Sequence, residues 1–175
     1  MIGSLSLAVP LILLIVMLMM LAESLVSRSH ERTLREQGAI EPAGDVYATM
    51  RWAYPGAFVA MALEGMLSGP PPAMIAMTGV VLMGLAKALK WWAMASLGVR
   101  WTFRVLIVPG APLVTHGPYA WWRHPNYIAV AGEFVAISLM VGARVTGPVA
   151  TALFSWLMLR RIRVEDRALR YPPCS

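Results

Sequence analysis

The sequence predicts an all-α integral membrane protein with five membrane-spanning segments, of which the last two form a helical hairpin. Three observations predict this fold class. Of the 175 residues, 58% are hydrophobic and only 14% are charged, and the apolar residues occur in long runs. Fourteen of the 15 lysines and arginines fall into segments that one topology places on a single side of the membrane. The apolar sequence is too extensive for a water-soluble core of this size, so we expect lipid to cover much of it.

Composition also narrows the possible functions. The net charge of +6 is found in many nucleic-acid-binding proteins, but membrane orientation explains it better, so we expect no nucleic acid as a partner. Cys174 is the single cysteine, and His30, His116 and His124 lack the spacing of metal ligands. We therefore expect neither an internal disulfide nor a metal site. The sequence contains no glycine-rich phosphate loop and no serine-hydrolase motif.

The first spanning helix is predicted over Leu5–Val26. At about 1.5 Å per residue, this segment is long enough to cross a hydrocarbon core of about 30 Å. A cleaved signal peptide is the alternative, but its positive charges would precede the apolar run. Here they follow it, as Arg28, Arg32 and Arg35. We therefore expect the N-terminus outside and Arg28 in the cytoplasm.

The next segments predict a connector and two more spanning helices. Ser27–Tyr47 is polar, so we expect it at the cytoplasmic surface, with a short helix over His30–Gln37. Helix two is predicted over Thr49–Leu67 and helix three over Ala73–Leu97, joined by a proline-rich outer turn. Four basic residues then mark the return of the chain to the cytoplasm: Lys87, Lys90, Arg100 and Arg104.

The second half of the chain predicts a loop and the helical hairpin. Val105–Pro125 contains six glycines and prolines, which predict an ordered cytoplasmic loop. Two short apolar stretches, Tyr127–Val141 and Thr146–Leu159, follow it, and the last helix is expected to continue through Arg170. Only Arg144 is then expected outside, and the C-terminus lies in the cytoplasm.

Polar chemistry is concentrated in Gly117–Tyr127, which contains an arginine, a histidine, an asparagine, two tyrosines and two tryptophans. In a membrane protein such a concentration usually marks a site. The tryptophans alone are typical of an interfacial belt, and an isolated histidine is typical of a helix cap. However, Arg123, His124, Asn126 and Tyr127 together place several donors at the positive end of a helix. That arrangement suits a carboxylate or another anionic group of a ligand.

Two further sets of ionisable residues are candidates for function. Arg161 and Glu165 are four residues apart and share a helix face, although a solvated helix end with ion pairs gives the same pattern. Glu64 and Glu133 are isolated carboxylates in apolar helices. Such acids are functional by default, but pairing with a nearby arginine or tryptophan is the alternative.

The chain contains a motif in two parts, Leu113-Val114-Thr115-x-Gly117-x-Tyr119-Ala120-Trp121-x-Arg123-His124-Pro125-x-Tyr127 and Glu165-Asp166-x-x-Leu169. These residues resemble the isoprenylcysteine carboxyl methyltransferase family, and the short build resembles its bacterial integral-membrane branch. The resemblance covers about residues 101–169 and implies a membrane methyltransferase that uses S-adenosylmethionine without a Rossmann domain. A chain of this length makes one domain, so we expect residues 1–175 to form a single membrane domain, with three helices and the connector in 1–100 and the methyltransferase motif in 101–170.

The resemblance also implies residue roles. Arg161 is expected to face the substrate. Independently of the resemblance, a carboxylate acceptor needs no general base, whereas a phenol or enol benefits from one, and Glu133, about one and a half helical turns after Tyr127, is the candidate for that role. The residues expected to surround the cofactor are Ala111, Pro112, Leu113, Val114, Tyr119, His124, Pro125, Asn126, Tyr127 and Glu165.

The expected function is O-methylation of a hydrophobic, lipid-like acceptor at the bacterial inner membrane, with S-adenosylhomocysteine as the second product. The acceptor is a carboxylate of the isoprenylcysteine type or the phenol or enol of a lipidic polyketide. It is expected to enter from the surrounding membrane lipids, whereas the cofactor enters from the cytoplasm. The alternatives are a phospholipid-type N-methyltransferase and a small non-enzymatic membrane scaffold.

Overall fold

A computed structural model describes residues 7–170, and their regular structure is helical. Two short 3₁₀ turns and one isolated antiparallel bridge, between Ile40 and Ile107, accompany the helices. A turn of four residues, 142–145, joins the last two helices, which pack against each other. The five long helices are α1 (Ala8–Glu36), α2 (Tyr47–Ser68), α3 (Ala73–Leu97), α4 (Pro125–Val141) and α5 (Thr146–Arg170).

The all-helical class is confirmed, but the prediction for the first helix is wrong at its end. The sequence predicted a spanning helix that stops at Val26 and a separate short helix over His30–Gln37. Instead α1 continues without a break to Glu36. Because neither glycine nor proline occurs between Val26 and Glu36, nothing interrupts the backbone hydrogen bonds. The predicted start at Leu5 and the single cysteine, Cys174, lie outside the described residues.

Two of the described helices are long and apolar enough to cross a membrane: α1, and α3 together with its following 3₁₀ turn, Ala73–Arg100. Helix α4 is apolar but has 17 residues. A monomeric soluble protein rarely exposes a large continuous apolar surface, so such a surface is typical of contact with lipid. Along α1, six side chains are 45–57% exposed: Leu11, Leu14, Ile15, Leu18, Leu21 and Leu25.

An aromatic cluster joins α2, α4 and α5. The rings of Tyr54, Phe58, Phe134 and Phe154 meet with centroid separations of 4.7–5.4 Å. Phe58 and Phe134 are almost completely buried. This packing fixes α5 against the centre of the molecule.

Glycine allows the neighbouring helices to approach α4 closely. A Cβ atom on Gly65 of α2 would lie 2.3 Å from the carbonyl oxygen of Val141, and one on Gly79 of α3 would lie 2.8 Å from that of Ala136. Both distances are shorter than van der Waals contact. Small residues at these positions let the backbones pack directly, as is common between membrane helices.

Four ionisable side chains are buried where α1, α3 and α4 meet: Glu23, Lys87, Lys90 and Glu133 are each 1–6% exposed. The Lys87 Nζ atom lies 2.8 Å from a Glu23 carboxylate oxygen and 2.9 Å from one of Glu133. The Lys90 Nζ atom lies 2.6 Å and 3.3 Å from the same two carboxylates, and Tyr54 of α2 donates a hydrogen bond to Glu133. This buried charge cluster therefore balances two carboxylates against two ammonium groups.

Lys87 and Lys90, which the sequence predicts to mark the return of α3 to the cytoplasm, are not exposed at the end of the helix. Both lysines are buried within the helix, because Glu23 and Glu133 supply the opposite charges there. Arg100, in the turn after α3, remains exposed.

Glu64 has a local structural role at the other end of the molecule. Its carboxylate accepts hydrogen bonds from the backbone N–H groups of Val145 and Thr146, at 2.9 Å and 2.7 Å, and from the Thr146 hydroxyl at 2.5 Å. These groups lie at the start of α5, where helical N–H groups lack partners within the helix. A carboxylate is favourable at this positive end, so Glu64 caps α5 from α2.

Removal of one charge from the buried charge cluster is expected to be costly. Lys90→Met leaves Glu23 and Glu133 to share the single ammonium group of Lys87, so one buried negative charge is no longer balanced and we expect a loss of about 3–5 kcal/mol in the free energy of unfolding. In the double variant Glu23→Met/Lys90→Met, the pair of Lys87 and Glu133 stays balanced, so we expect much of the stability to return. Thermal unfolding in detergent, followed by circular dichroism, compares the variants. A double variant no more stable than Lys90→Met would contradict the charge-balance explanation.

Candidate functional site

The loop between α3 and α4, residues 101–124, is anchored to α1 by its first residues. The Ser27 hydroxyl accepts a hydrogen bond from the backbone N–H of Phe103 at 2.7 Å, and Nδ1 of His30 donates to the carbonyl oxygen of Trp101 at 2.8 Å. Further along, Ile40 and Ile107 exchange two backbone hydrogen bonds. The continuous α1 helix therefore holds the loop in place.

Two arginines that share Glu41 as their partner reinforce this anchor. Arg104 of the loop and Arg35 of α1 each place a guanidinium nitrogen 2.7 Å from Glu41. Burial raises the pKa of Glu41, but the hydrogen bonds and charges of Arg104 and Arg35 outweigh burial and hold that pKa below 4.5. Glu41 is therefore a carboxylate that links the connector, the loop and α1.

The polar motif lies where the start of α4 meets the last turns of α5. Nε2 of His124 lies 3.2 Å from a carboxylate oxygen of Asp166, and a guanidinium nitrogen of Arg123 lies 3.1 Å from the same oxygen. The Tyr127 hydroxyl donates to Glu165 at 3.0 Å. Arg123, His124, Tyr127, Glu165 and Asp166 therefore meet in one group of polar side chains, the motif cluster.

The motif cluster brings together several residues that the sequence singled out. The Nδ1 atom of His124 also lies 3.9 Å from a carboxylate oxygen of Glu165. Burial raises the pKa of Tyr119, and the charge of Glu165 adds a smaller contribution in the same direction. Pro125 is buried as the first residue of α4, where a proline needs no backbone donor. Sequence reasoning missed Asp166 as the partner of His124, although the adjacent acids in the motif were a usable signal.

The predicted loop residues Ala111, Pro112, Leu113 and Val114 form an irregular segment outside the motif cluster. Arg100 holds the segment by donating a hydrogen bond to the Pro112 carbonyl, and Leu113 is 65% exposed. Within residues 7–170, no hydrogen bond or ion pair connects these four residues to the motif cluster.

Arg161 lies one helical turn before Glu165 but is engaged elsewhere. It is 7% exposed; one of its terminal nitrogens donates to the Phe103 carbonyl and lies 3.9 Å from Asp45. Asp45 also accepts a hydrogen bond from the Val105 N–H at 3.2 Å. The buried Arg161 Nε atom has no hydrogen-bond partner among the described residues. A buried donor without a partner is costly, so the Nε–H group of Arg161 is available to donate a hydrogen bond to a ligand.

A cavity of about 350 Å³ lies between α1 and α2 and is closed by α4, α5 and the loop. Arg161, Asn126 and Tyr127 line it, so the motif reaches the cavity directly. Trp101 fixes Asn126 by donating an indole hydrogen bond to its side-chain oxygen at 3.3 Å. The remaining wall is largely apolar and includes Met17, Met20, Leu21, Met50, Val130, Phe154 and Met158. Such a mixture of apolar walls and a few polar groups is typical of small-molecule sites.

The candidate base Glu133 is separated from this cavity. Its neighbours Tyr54 and Lys90 line the cavity wall, and both contact the Glu133 carboxylate. A role for Glu133 as a base stays a prediction. Among residues 7–170, no three histidine, cysteine, aspartate or glutamate side chains are grouped to hold a metal ion.

Comparison with known protein families identifies the family of this chain. The family described as isoprenylcysteine carboxyl methyltransferase matches residues 77–171, which is more than half of the chain. The chain belongs to this family. The match extends from α3 across the loop to the last turns of α5, so it contains both halves of the motif cluster. The family is one of integral-membrane methyltransferases, which agrees with the apolar helices and supports a location in the membrane.

Two relatives have a similar length. The chain is 33% identical to the uncharacterized protein YpbQ of Bacillus subtilis over 162 residues, which cover 91% of this chain and 95% of the relative. It is 22% identical to an uncharacterized protein of Haemophilus influenzae over 147 residues, which cover 83% of this chain and 86% of that protein. No solved structure matches the chain significantly. Both relatives are bacterial proteins of similar extent, which is consistent with a short bacterial branch of the family.

Glu41→Gln is expected to destabilise the protein at neutral pH and to have less effect in acid. Because the arginines lower the pKa of Glu41 in the folded state, its contribution is complete above the unfolded-state value near 4.5. That contribution is lost as the pH falls through the lower, folded-state value. Melting temperatures of both proteins from about pH 7 to about pH 3.5 test this. Glu36→Gln, at the exposed end of α1, is the control; a wild-type advantage over Glu41→Gln that stays constant with pH would contradict the expectation.

Proposed function

We propose that this protein is an S-adenosylmethionine-dependent O-methyltransferase of the bacterial inner membrane that acts on a hydrophobic, lipid-like acceptor. One observation carries the proposal: the cavity between α1 and α2 combines an apolar wall with Arg161, Asn126 and Tyr127 of the motif. A lipid-like molecule in this cavity would lie against the residues that carry the family's chemistry. Members of the family use S-adenosylmethionine.

The motif cluster suits the amino-acid part of this cofactor, which carries an ammonium and a carboxylate group. Glu165 and Asp166 match the ammonium group, and Arg123 and His124 match the carboxylate, and all four lie in one cluster. Apolar and aromatic side chains suit the adenine ring. The residues proposed to complete the site are Ala111, Pro112, Leu113, Val114, Tyr119, Pro125, Asn126 and Tyr127.

Arg161 is the residue proposed to orient the acceptor. Its guanidinium is held by the Phe103 carbonyl while the buried Nε–H remains without a partner. An acceptor oxygen that accepts this hydrogen bond would satisfy the donor, and a negatively charged oxygen would do so most strongly. This arrangement fixes one end of the acceptor beside Tyr127 and Asn126.

When bound, S-adenosylmethionine supplies an electrophilic methyl group on a sulfonium centre, and S-adenosylhomocysteine remains after the transfer. The chain's own task is to position the acceptor oxygen and to exclude water, which the apolar cavity wall and Arg161 achieve. A carboxylate acceptor needs no proton transfer. A phenol or enol must lose its proton, and Tyr54, which lines the cavity, links such an acceptor to Glu133.

The proposed topology has five crossings, with the N-terminus outside and the motif cluster on the cytoplasmic side. Arg35 at the end of α1, Arg51 near the start of α2 and Arg100 after α3 agree with a single basic face. Arg144 lies in the short turn between α4 and α5, at the opposite ends of the helices. On the cytoplasmic side, the water-soluble cofactor would reach the cluster directly, and the acceptor would arrive through the bilayer.

Binding of S-adenosylhomocysteine to the purified protein tests the cofactor site. We expect His124→Ala and Glu165→Ala each to weaken the affinity at least about tenfold, because each removes a hydrogen bond to a charged group. Isothermal titration calorimetry in detergent measures the affinity. The controls are His116→Ala, an exposed histidine of the same loop, and Glu36→Ala. Undiminished binding in both site variants would show that the cofactor lies elsewhere.

Transfer of a labelled methyl group into a bacterial lipid extract tests the reaction. We expect the label in a hydrophobic product as a methyl ester or ether, and Arg161→Met is expected to abolish its formation while binding of S-adenosylhomocysteine persists. Mass spectrometry of the labelled fraction identifies the methylated atom. Label in an amine head group would favour the phospholipid-type N-methyltransferase instead, and an absence of labelled product despite cofactor binding would contradict a lipid acceptor.

A further inference from the structure

The cavity has an apolar end and a charged end. On α1 its wall is a single helix face that runs from Met17 to Glu31, a distance of about 21 Å along the helix. The residues on this face change from methionine and leucine at one end to polar and charged groups at the other. An amphiphile with a hydrocarbon tail and a charged head matches this gradient. The α1 wall residues, in order, are Met17, Met20, Leu21, Ser24, Ser27, Arg28 and Glu31.

The charged end of the cavity is positive. Glu31 is the single acid in the described wall, and its carboxylate is engaged by the Ser27 hydroxyl at 2.8 Å and by Arg104 at 3.4 Å. Arg28 of α1 and Arg51 of α2 both line the cavity, are exposed, and form no ion pair within residues 7–170. Their charges are therefore uncompensated by neighbouring acids.

The position of Arg51 is restricted by an aromatic contact. Its guanidinium carbon lies 5.1 Å from the centroid of the Trp52 ring, in a cation–π arrangement. Trp52 is 71% exposed and also lines the cavity, as expected for a tryptophan at a membrane interface. The mouth of the cavity is therefore bordered by one restrained arginine on α2 and a second arginine on α1.

We propose that Arg28 and Arg51 form an anion subsite at the mouth of the cavity, which binds the phosphate or carboxylate head of an amphiphile whose tail extends toward Met17. Paired guanidinium groups bind such oxygens through charge-assisted, bidentate hydrogen bonds. This subsite is separate from Arg161, which meets the reacting oxygen. The inference rests on the proposed function, because a head group bound at this subsite would orient the acceptor in the cavity. The head group belongs either to the acceptor or to a membrane lipid beside it.

A simpler role for these arginines is to mark the cytoplasmic side of the membrane. Orientation depends on the number of positive charges near the helix ends and not on their position in a cavity wall. Arg32 of α1 and Arg163 of α5 are exposed arginines outside that wall, so they serve orientation equally well. Their replacement removes the same charge without touching the proposed subsite, which makes them matched controls.

Binding of dodecyl phosphate tests the subsite. The full chain is placed in nanodiscs of neutral phosphatidylcholine, and binding of the radiolabelled probe is compared between Arg28→Gln/Arg51→Gln and Arg32→Gln/Arg163→Gln. We expect the first pair to weaken binding by about tenfold or more and each of its single variants to weaken it by less. The control pair is expected to bind like the wild type, and uncharged dodecanol is expected to bind all proteins equally. Equal losses in both pairs, or no loss in either, would overturn the proposal.

A second lipid composition identifies the source of the head group. If a membrane lipid fills the subsite, nanodiscs that contain phosphatidylglycerol weaken dodecyl phosphate binding to the wild type but not to Arg28→Gln/Arg51→Gln. If the head group belongs to the acceptor, the wild type binds dodecyl phosphate with the same affinity in both lipid compositions. Either outcome supports the subsite and identifies the source of its head group.

S-adenosylhomocysteine binding to the same samples separates this inference from the proposed function. We expect the Arg28→Gln/Arg51→Gln protein to bind it normally, which also confirms that the variant is folded. A wild-type protein that binds dodecyl phosphate through the two arginines but does not bind S-adenosylhomocysteine would overturn the proposed function and leave the anion subsite standing.

Discussion

The arrangement of the molecule depends on the balance of charge between Glu23, Lys87, Lys90 and Glu133. Hydrocarbon provides neither counter-charges nor hydrogen bonds, so each of these groups must find its partner on another helix. Helix α1 packs mainly against α2, yet Glu23 reaches past it to the two lysines of α3. A shift of α1 along its axis by one turn would separate these charges. The buried charge cluster therefore sets the register of the helix that forms one wall of the cavity.

A chain of short contacts leads from the buried charge cluster to the substrate side of the site. Ser27 follows Glu23 by four residues, so both lie on the same face of α1. Ser27 binds the Phe103 N–H, and the Phe103 carbonyl binds Arg161. The position of Arg161 on α5 thus depends on the register of α1, through Phe103 of the loop. Glu64, which caps α5 from α2, fixes the other end of the same helix.

The sequence was sufficient to predict the five long helices and their order, because each apolar run is bounded by glycine, proline or charge. It failed at the end of α1, where polar residues after Val26 were interpreted as a connector although the backbone remains helical. The link between His124 and Glu165 came from the family resemblance and agrees with their proximity in space. The partners of Glu133 and Glu64 were missed, because spacing along one helix carries no information about contacts between distant segments. The cavity was also beyond prediction, since it is the gap that remains between two packed helices.

The length of α1 connects the loop to the properties of the bilayer. Its 29 residues extend about 43 Å, which exceeds a typical hydrocarbon thickness of about 30 Å. The turns after Val26 are polar and project beyond the hydrocarbon, and the apolar stretch before them responds to a thinner or thicker membrane by changing its tilt, which carries these turns with it. Because Ser27 and His30 on the same rigid rod hold the backbone at Phe103 and Trp101, a change in tilt also moves the start of the loop. Lipid chain length and membrane thickness are therefore variables of the site itself, and measurements made in detergents of different size are expected to differ for this reason.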